Sequence, residues 1–300
     1  YFTHTVGRFL PELPESIEVI HNGLDWERFK PTQPQGILDI IPVVPGEQPI
    51  LLHPHRPEES KGIRQTIRLV DKLVHEYGFA DLIALAPRWH AVQASVELRE
   101  FYASIEQDID DRNLNENFIF HDWVPQELMP EYFSLGSVTV SLGNFVESFG
   151  NAVYESMGCG TPSIAARIST HRELLPDALI DKVDYDDIDG AAHRAARIIN
   201  ANERTSPEAM AFLKEKYATP RQLKAYEQAI VNAQVRPPMS YTLSPIDDRT
   251  RFQLAPWCYR SQSRGIYHDF HANYVNLVEL DALLDAADNS FTFADAAKHG

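Results

Sequence analysis

Two glutamates, Glu147 and Glu155, stand with seven residues between them in the stretch ESFGNAVYESMGCGTP. Glu147 is expected in a loop that follows a strand, and Glu155 inside the helix after it. Between them Ser148, Phe149 and Gly150 bring backbone N–H groups to the helix start, where unsatisfied donors and partial positive charge suit a phosphate. Ionised carboxylates on either side accept hydrogen bonds from sugar hydroxyls. The layout fits a diphosphate flanked by two polyols. The plainer alternative is a pair of glutamates decorating an exposed helix, where glutamate is common. A second group, Arg56 and Lys61 in RPEESKG, follows the apolar run PILLH. Two cations after a strand end offset phosphate charge, and arginine does so bidentately. A cation at a helix start opposes the helix dipole, which weighs against a purely structural role. His53 and His55 form an H-x-H pair without a third ligand at metal-site spacing, so no metal is assigned. Ser156 has no His or Asp partner that would make it a nucleophile. Cys159 reads as a buried structural thiol.

The elements that position these groups alternate. Strands are expected at 49–53, 81–86, 117–124, 137–142 and 162–166, with a short one at 16–20 that ends at the turn Asn22-Gly23. Helices are expected at 61–77, 92–109, 126–135, 150–159, 188–201, 207–218 and 220–233, and a Pro- and Gly-rich loop at 33–46. Such alternation implies an α/β fold: a Rossmann-like parallel sheet with helices on both faces. These sheets bind ligands in the loops at the carboxyl ends of their strands. From about residue 235 the pattern changes, with Trp257, Tyr259, Tyr267, Phe270 and Tyr274 ahead of a helix at 275–286. This small C-terminal α/β appendage, 235–300, resembles the start of a winged-helix unit, with Thr292 as the cap of its second helix.

Composition narrows the partners. A formal net charge of −16 disfavours nucleic acid and anionic lipid, so any anionic ligand must be held by local cations. Cys159 and Cys258 make no disulfide framework and fit a reducing, cytoplasmic setting. No run is long and apolar enough for a transmembrane segment.

The stretch from Glu147 to Pro162 resembles the E-x7-E region of retaining GT-B glycosyltransferases, the group that includes the glycogen synthases. Their pattern runs roughly E-(G/S)-F-G-x4-E-A-M-A-x-G-x-P-V. Three further segments agree in order: IEVIHNGLDWERFKP (17–31), RPEESKG (56–62) and FIFHDWV followed by SVTVSLG. The resemblance covers about residues 15–234. It implies that residues 1–234 are the C-terminal, nucleotide-sugar-binding domain of such an enzyme, with a linker over about 1–36. It gives Glu147 the donor sugar, Glu155 the ribose, Arg56 and Lys61 the diphosphate, and Ser148, Phe149 and Gly150 the backbone contacts. Val124 either meets the base through its backbone or is an ordinary core residue. The expected donor is a UDP-, GDP- or ADP-sugar, with no metal or other cofactor. An N-terminal acceptor domain is expected upstream of Tyr1 or on another chain. Two departures stand out. His53-Pro54-His55 replaces a usual glycine, and ARISTHREL replaces a Gly-rich turn, with Glu173 in place of the family's glutamate. Two other functions remain open: a non-enzymatic nucleotide-sugar-binding subunit, and a GT-B nucleotide-sugar epimerase.

Overall fold

The computed structural model describes residues 17–56, 58–88, 96–235, 238 and 245–299. His21–Leu223 form one compact unit, and the remaining described residues belong to a second.

The first unit is built on six strands: β1 Ile50–Leu52, β2 Ile83–Pro87, β3 Phe118–His121, β4 Val138–Ser141, β5 Ser163–Ala166 and β6 Asp181–Val183. Their order is β3-β2-β1-β4-β5-β6 and every pairing is parallel. The helices are α1 Ile63–His75, α2 Val96–Asp111, α3 Met129–Leu135, α4 Asn151–Gly158, α5 Ile188–Asn200 and α6 Pro207–Lys216, and α7 Thr219–Val231 starts in this unit and runs past its end at Leu223. One face of the sheet is covered by apolar stripes from α1, α2 and α5, among them Ile67, Leu73, Ile105, Ile109, Ala192 and Ala195. Two clusters cover the other: one holds Tyr132, Phe133 and Ile37, the other Trp26, Phe149, Tyr154, Met157 and Leu213. Each buried side chain of this size contributes about 1.5–3 kcal/mol. The α/β expectation, with helices on both faces, holds.

The strand order places a topological switch between β1 and β4. The chain leaves β1 toward β2 and leaves β4 toward β5, the arrangement at whose strand ends such sheets bind ligands.

Several sequence expectations need correction. No strand forms at 17–20, and Ser16 lies outside the described residues. Leu24 instead makes an isolated parallel bridge with Ala218. The loop expected at 33–46 forms, but it contains a short 3-10 turn, Gly36–Asp39, and buries Ile37 and Ile41 completely. The helix expected at 92–109 is described over Val96–Asp111, and 92–95 lie outside the described residues. Strand β6 was not anticipated. It is only three residues long, and its centre is Lys182, whose buried Nζ donates to the carbonyls of Arg172 (2.9 Å) and Leu175 (2.6 Å) and pairs with Asp177 (2.9 Å). A charged residue satisfied by long-range partners carries no apolar signature in sequence.

In the second unit β8 Cys258–Ser261, β9 Gly265–His268 and β10 Asn273–Val275 form an antiparallel sheet, and β7 Phe252–Gln253 pairs with β11 Ser290–Phe291. Helices α8 Val278–Ala286 and α9 Phe293–His299 flank β11. The helix expected from 275 starts three residues later because Val275 pairs with Ile266. Thr292 and Asp295 cap α9 reciprocally: the Thr292 N–H donates to Asp295 Oδ2 (3.0 Å) and the Asp295 N–H to Thr292 Oγ1 (3.3 Å).

Candidate functional site

The loops after β1 and β4, at the switch, carry the sequence-predicted cations and Glu147. Two glycines let these loops meet. A Cβ on Gly62 would lie 2.4 Å from the Gly143 nitrogen, and one on Gly143 would lie 2.1 Å from the Ser60 carbonyl oxygen. Only two residues without side chains let the loop after β1 touch the loop after β4. The Phe145 N–H then donates to the Ser60 carbonyl at 3.0 Å.

This approach delivers Lys61 to Glu147. Lys61 Nζ donates to Glu147 Oε1 at 2.5 Å, and the two side chains are 9% and 22% exposed, so water screens the pair little. Lys61 Nζ also lies 3.4 Å from the centroid of the Phe145 ring. Arg56 stands apart. It is exposed and pairs with Glu58 at 3.2 Å.

Helix α4 begins directly after Gly150, which sits at φ 84 and ψ 51, and no side chain caps the helix. Its first N–H groups are therefore available for an anion. Ser148 is exposed, whereas the Phe149 side chain is 2% exposed and packs against Tyr154 and Tyr217 with ring centroids 5.3 Å apart in each case. Phe149 thus offers a ligand its backbone only.

The departure at 167–175 has a structural account. Where relatives have a Gly-rich turn, Ser169 adopts φ 48, and its hydroxyl donates to the Glu147 carbonyl at 2.7 Å. Thr170 Oγ1 donates to the same carbonyl at 3.3 Å. Two hydroxyls brace the loop that carries Glu147. Glu173 is exposed, just beyond this turn.

Behind the loop, the ring of His171 fills the space where Gly150 has no side chain: a Cβ there would lie 2.3 Å from His171 Cε1. His171 Nδ1 is 3.1 Å from the Tyr154 hydroxyl, and its Nε2 is buried without a partner. Burial, reinforced by His55, Lys182 and Lys61, lowers its pKa to about 3. His53 and His55 are likewise neutral. His55 is lowered to about 4, chiefly by burial, and its Nε2 donates to the Val140 carbonyl at 2.9 Å. His53, lowered by burial and then by His55, shares a 2.9 Å hydrogen bond with Thr66 Oγ1. Both imidazoles are thus tied to the scaffold. Among the described residues no three His, Cys, Asp or Glu side chains are placed to hold a metal ion.

Glu155 lies in the body of α4. Desolvation raises its pKa to about 7, against the opposing field of Arg28. Arg28 donates to the Gln126 carbonyl and packs over Phe29. Val124 is 6% exposed and belongs to the core, yet it also lines a cavity of about 350 Å³ with Pro54, Pro87, His121, Trp123, Met129 and Tyr132. Val124 is thus a core residue that also borders a cavity. His121 Nδ1 donates to the Asp122 carbonyl at 2.8 Å, while His121 Nε2 and the Tyr132 hydroxyl are buried without partners. Ser156 is fully buried and bonded to Thr139 Oγ1 at 2.6 Å. The buried Cys159 thiol is pushed up to about 12, mainly by desolvation. Neither is disposed as a nucleophile. Arg28, His121 and His171 are not among the sequence-derived candidates, because only the fold brings them to this end of the sheet.

Residues 39–206 match the family described as Glycosyl transferases group 1. The chain belongs to this family. A curated relative, 2-deoxystreptamine N-acetyl-D-glucosaminyltransferase of Streptomyces fradiae, is 24% identical over 218 residues, covering 66% of the chain and 52% of the relative. The chain thus spans about half the length of that glycosyltransferase. Solved structures agree on the fold. Sucrose-phosphate synthase from Thermosynechococcus elongatus superposes with a TM-score of 0.59 at 22% identity, over 72% of this chain and 53% of its own. Anabaena Alr3699/HepE, solved in complex with UDP and glucose, gives 0.62 at 17% identity over 73% and 58%. The C-terminal domain of the group 1 glycosyl transferase LpcC from Francisella tularensis gives 0.52 at 19% identity over 65% and 99%. The six-stranded sheet of this group 1 glycosyltransferase chain is one Rossmann-like half of the GT-B fold.

Proposed function

We propose that the chain is the donor-binding half of a retaining group 1 glycosyltransferase that takes a nucleoside-diphosphate sugar. The observation that carries this reading is the meeting, at the β1/β4 switch, of an uncapped helix N-terminus with Lys61 and Glu147. In this reading the diphosphate lies on the N–H groups at Ser148–Gly150, with Lys61 and Arg56 offsetting its charge. Glu147 accepts hydrogen bonds from the sugar and Glu155 from the ribose. The base enters the cavity beside Val124, which is apolar except for a few polar atoms, as base and ligand pockets commonly are. The leaving diphosphate, stabilised by Lys61 and Arg56, accepts the proton of the acceptor hydroxyl as the new glycosidic bond forms on the same face. A second Rossmann-like domain, in the same protein or on a partner, presents that acceptor over the strand ends, since positioning supplies much of the barrier reduction.

The test has two stages. A nucleoside diphosphate at a hundredfold excess over its dissociation constant should raise the stability of the chain by about 2.7 kcal/mol, read as a thermal shift, and a chelator should leave this unchanged. With a labelled donor and a broad acceptor set, the 300 residues alone should bind without useful transfer, and adding the acceptor domain should restore transfer. No shift with any UDP, GDP or ADP ligand would sink the reading, and robust transfer by the chain alone would remove the need for a second domain.

A further inference from the structure

We propose that Glu147 is the residue by which this site tells a sugar-charged nucleoside diphosphate from the spent nucleoside diphosphate, by competing with phosphate for Lys61. The inference rests on the donor-site reading and adds a selectivity that the reading does not require.

The side chain of Lys61 has little freedom. Its ammonium donates to Glu147 Oε1 at 2.5 Å, sits 3.4 Å from the Phe145 centroid, and is 9% exposed. Its backbone is held by the Gly62–Gly143 approach, so only its side chain can follow a ligand. The Glu147 backbone is held as well, because the Ser169 and Thr170 hydroxyls donate to its carbonyl. The neighbouring imidazoles do not substitute for Lys61. His55 and His171 are neutral at physiological pH, with values lowered to about 4 and about 3, chiefly by burial. Arg56 lies in solvent with Glu58. Lys61 is therefore the cation that Glu147 holds, and its charge is already matched.

The two ligands meet this arrangement differently. A bare nucleoside diphosphate ends in a phosphate with a second ionisation near neutral pH. To reach Lys61 it must bring that additional negative charge against the carboxylate of Glu147, and like charges sharing a site oppose each other. In the sugar conjugate the same phosphate is esterified and lacks that charge. Its sugar hydroxyls donate to Glu147, whose carboxylate can exchange the ammonium for these donors and release Lys61 to the phosphate. Glu147 thus penalises the product and accepts the substrate, and product leaves without competing strongly for the site.

The experiment is calorimetric titration of the full chain with UDP, GDP, ADP and their glucose conjugates, in the native protein and in Glu147→Gln. The amide keeps the size and hydrogen-bonding capacity of Glu147 and removes its charge. Native protein should bind the preferred glucose conjugate at least as tightly as the bare diphosphate. Glu147→Gln should bind the bare diphosphate roughly fivefold or more tighter, with the conjugate unchanged or weaker, so that the preference reverses. Equal tightening of both ligands, or no tightening of the diphosphate, would overturn the inference while leaving the donor site standing. If the variant does not fold, the native ratio still decides: a tenfold preference for the bare diphosphate overturns the proposal. Binding of none of the six ligands to either protein would overturn the donor-site reading and this inference together, a result distinct from the others.

Discussion

Glu147 and Glu155 stand in one short stretch of sequence, yet the fold puts them in opposite electrostatic conditions. Glu147 lies in a loop braced from three sides, by Lys61 on its carboxylate and by Ser169 and Thr170 on its carbonyl. Glu155 lies within α4, where desolvation dominates and only the field of Arg28 opposes it, leaving its pKa near 7. One carboxylate is charged and matched before any ligand arrives. The other is held in surroundings that resist its charge and improve when hydrogen-bond donors come. The difference teaches that two identical side chains in one short stretch are set apart by their neighbours, which decide what each of them costs the protein.

The sharpest way to break the loop side is Gly150→Ala. The position has φ 84, and the new Cβ would meet the rigid, buried His171 ring at 2.3 Å from Cε1. Left-handed strain and overpacking together should cost about 3 kcal/mol, read as a fall in the denaturant midpoint, and anion binding at the α4 N-terminus should fall with it. A loss below about 1 kcal/mol would show that His171 yields easily and does not fix this turn.

Lys61→Ala comes next. It leaves Glu147 charged and mostly buried, which should cost about 2 kcal/mol, less than for a fully buried pair because Glu147 retains 22% exposure. Adding Glu147→Gln to Lys61→Ala should recover much of that loss, since no unpaired charge then remains. Additive losses in the double variant would mean that the two residues are not coupled, and the contrast with Glu155 would lose its basis.

How much of this was legible in the residues depends on the range of the interaction. The apolar runs at Ile50–Leu52 and Val138–Ser141, and the stripe Ile63–Leu73, announce strands and a helix because their burial is written in local periodicity. The candidates Arg56, Lys61 and Glu147–Glu155 stand out because strand ends and a helix start are local features too. The Lys61–Glu147 pairing is not local: it spans 86 positions and depends on Gly62 meeting Gly143 across two loops. The pressure of His171 on Gly150 and the field of Arg28 on Glu155 are invisible for the same reason. The turn at Ser169 was read as a departure from a glycine pattern, and the sequence contains no sign that its hydroxyl would hold the Glu147 carbonyl.

The smallest expected effect tests the helix side directly, through Glu155→Gln and pH. The folded-state pKa is raised from 4.5 to about 7, so the folded chain holds this proton where the unfolded chain has released it. Whatever stability the protonated form provides is therefore complete below about pH 4.5 and is lost as pH rises through about 7. Above that pH the native protein carries a desolvated charge that the glutamine variant lacks. Glu155→Gln should accordingly be more stable than the native chain by roughly 1–2 kcal/mol at pH 8 and nearly equal to it at pH 4.5, measured by denaturant titration without ligand. On the proposed donor reading a nucleotide reverses the balance, because ribose hydroxyls would donate to the carboxylate and favour its ionised form. Nucleoside diphosphate binding should then release protons near pH 6.5, seen as a dependence of binding heat on the ionisation enthalpy of the buffer. Buffers must be compared at several pH values, since the ligand's own terminal phosphate also titrates in this range and contributes in both proteins. The part removed by Glu155→Gln is the part that belongs to Glu155. An unchanged proton count in that variant would place the ribose elsewhere and leave the desolvated carboxylate a structural cost with no ligand to offset it.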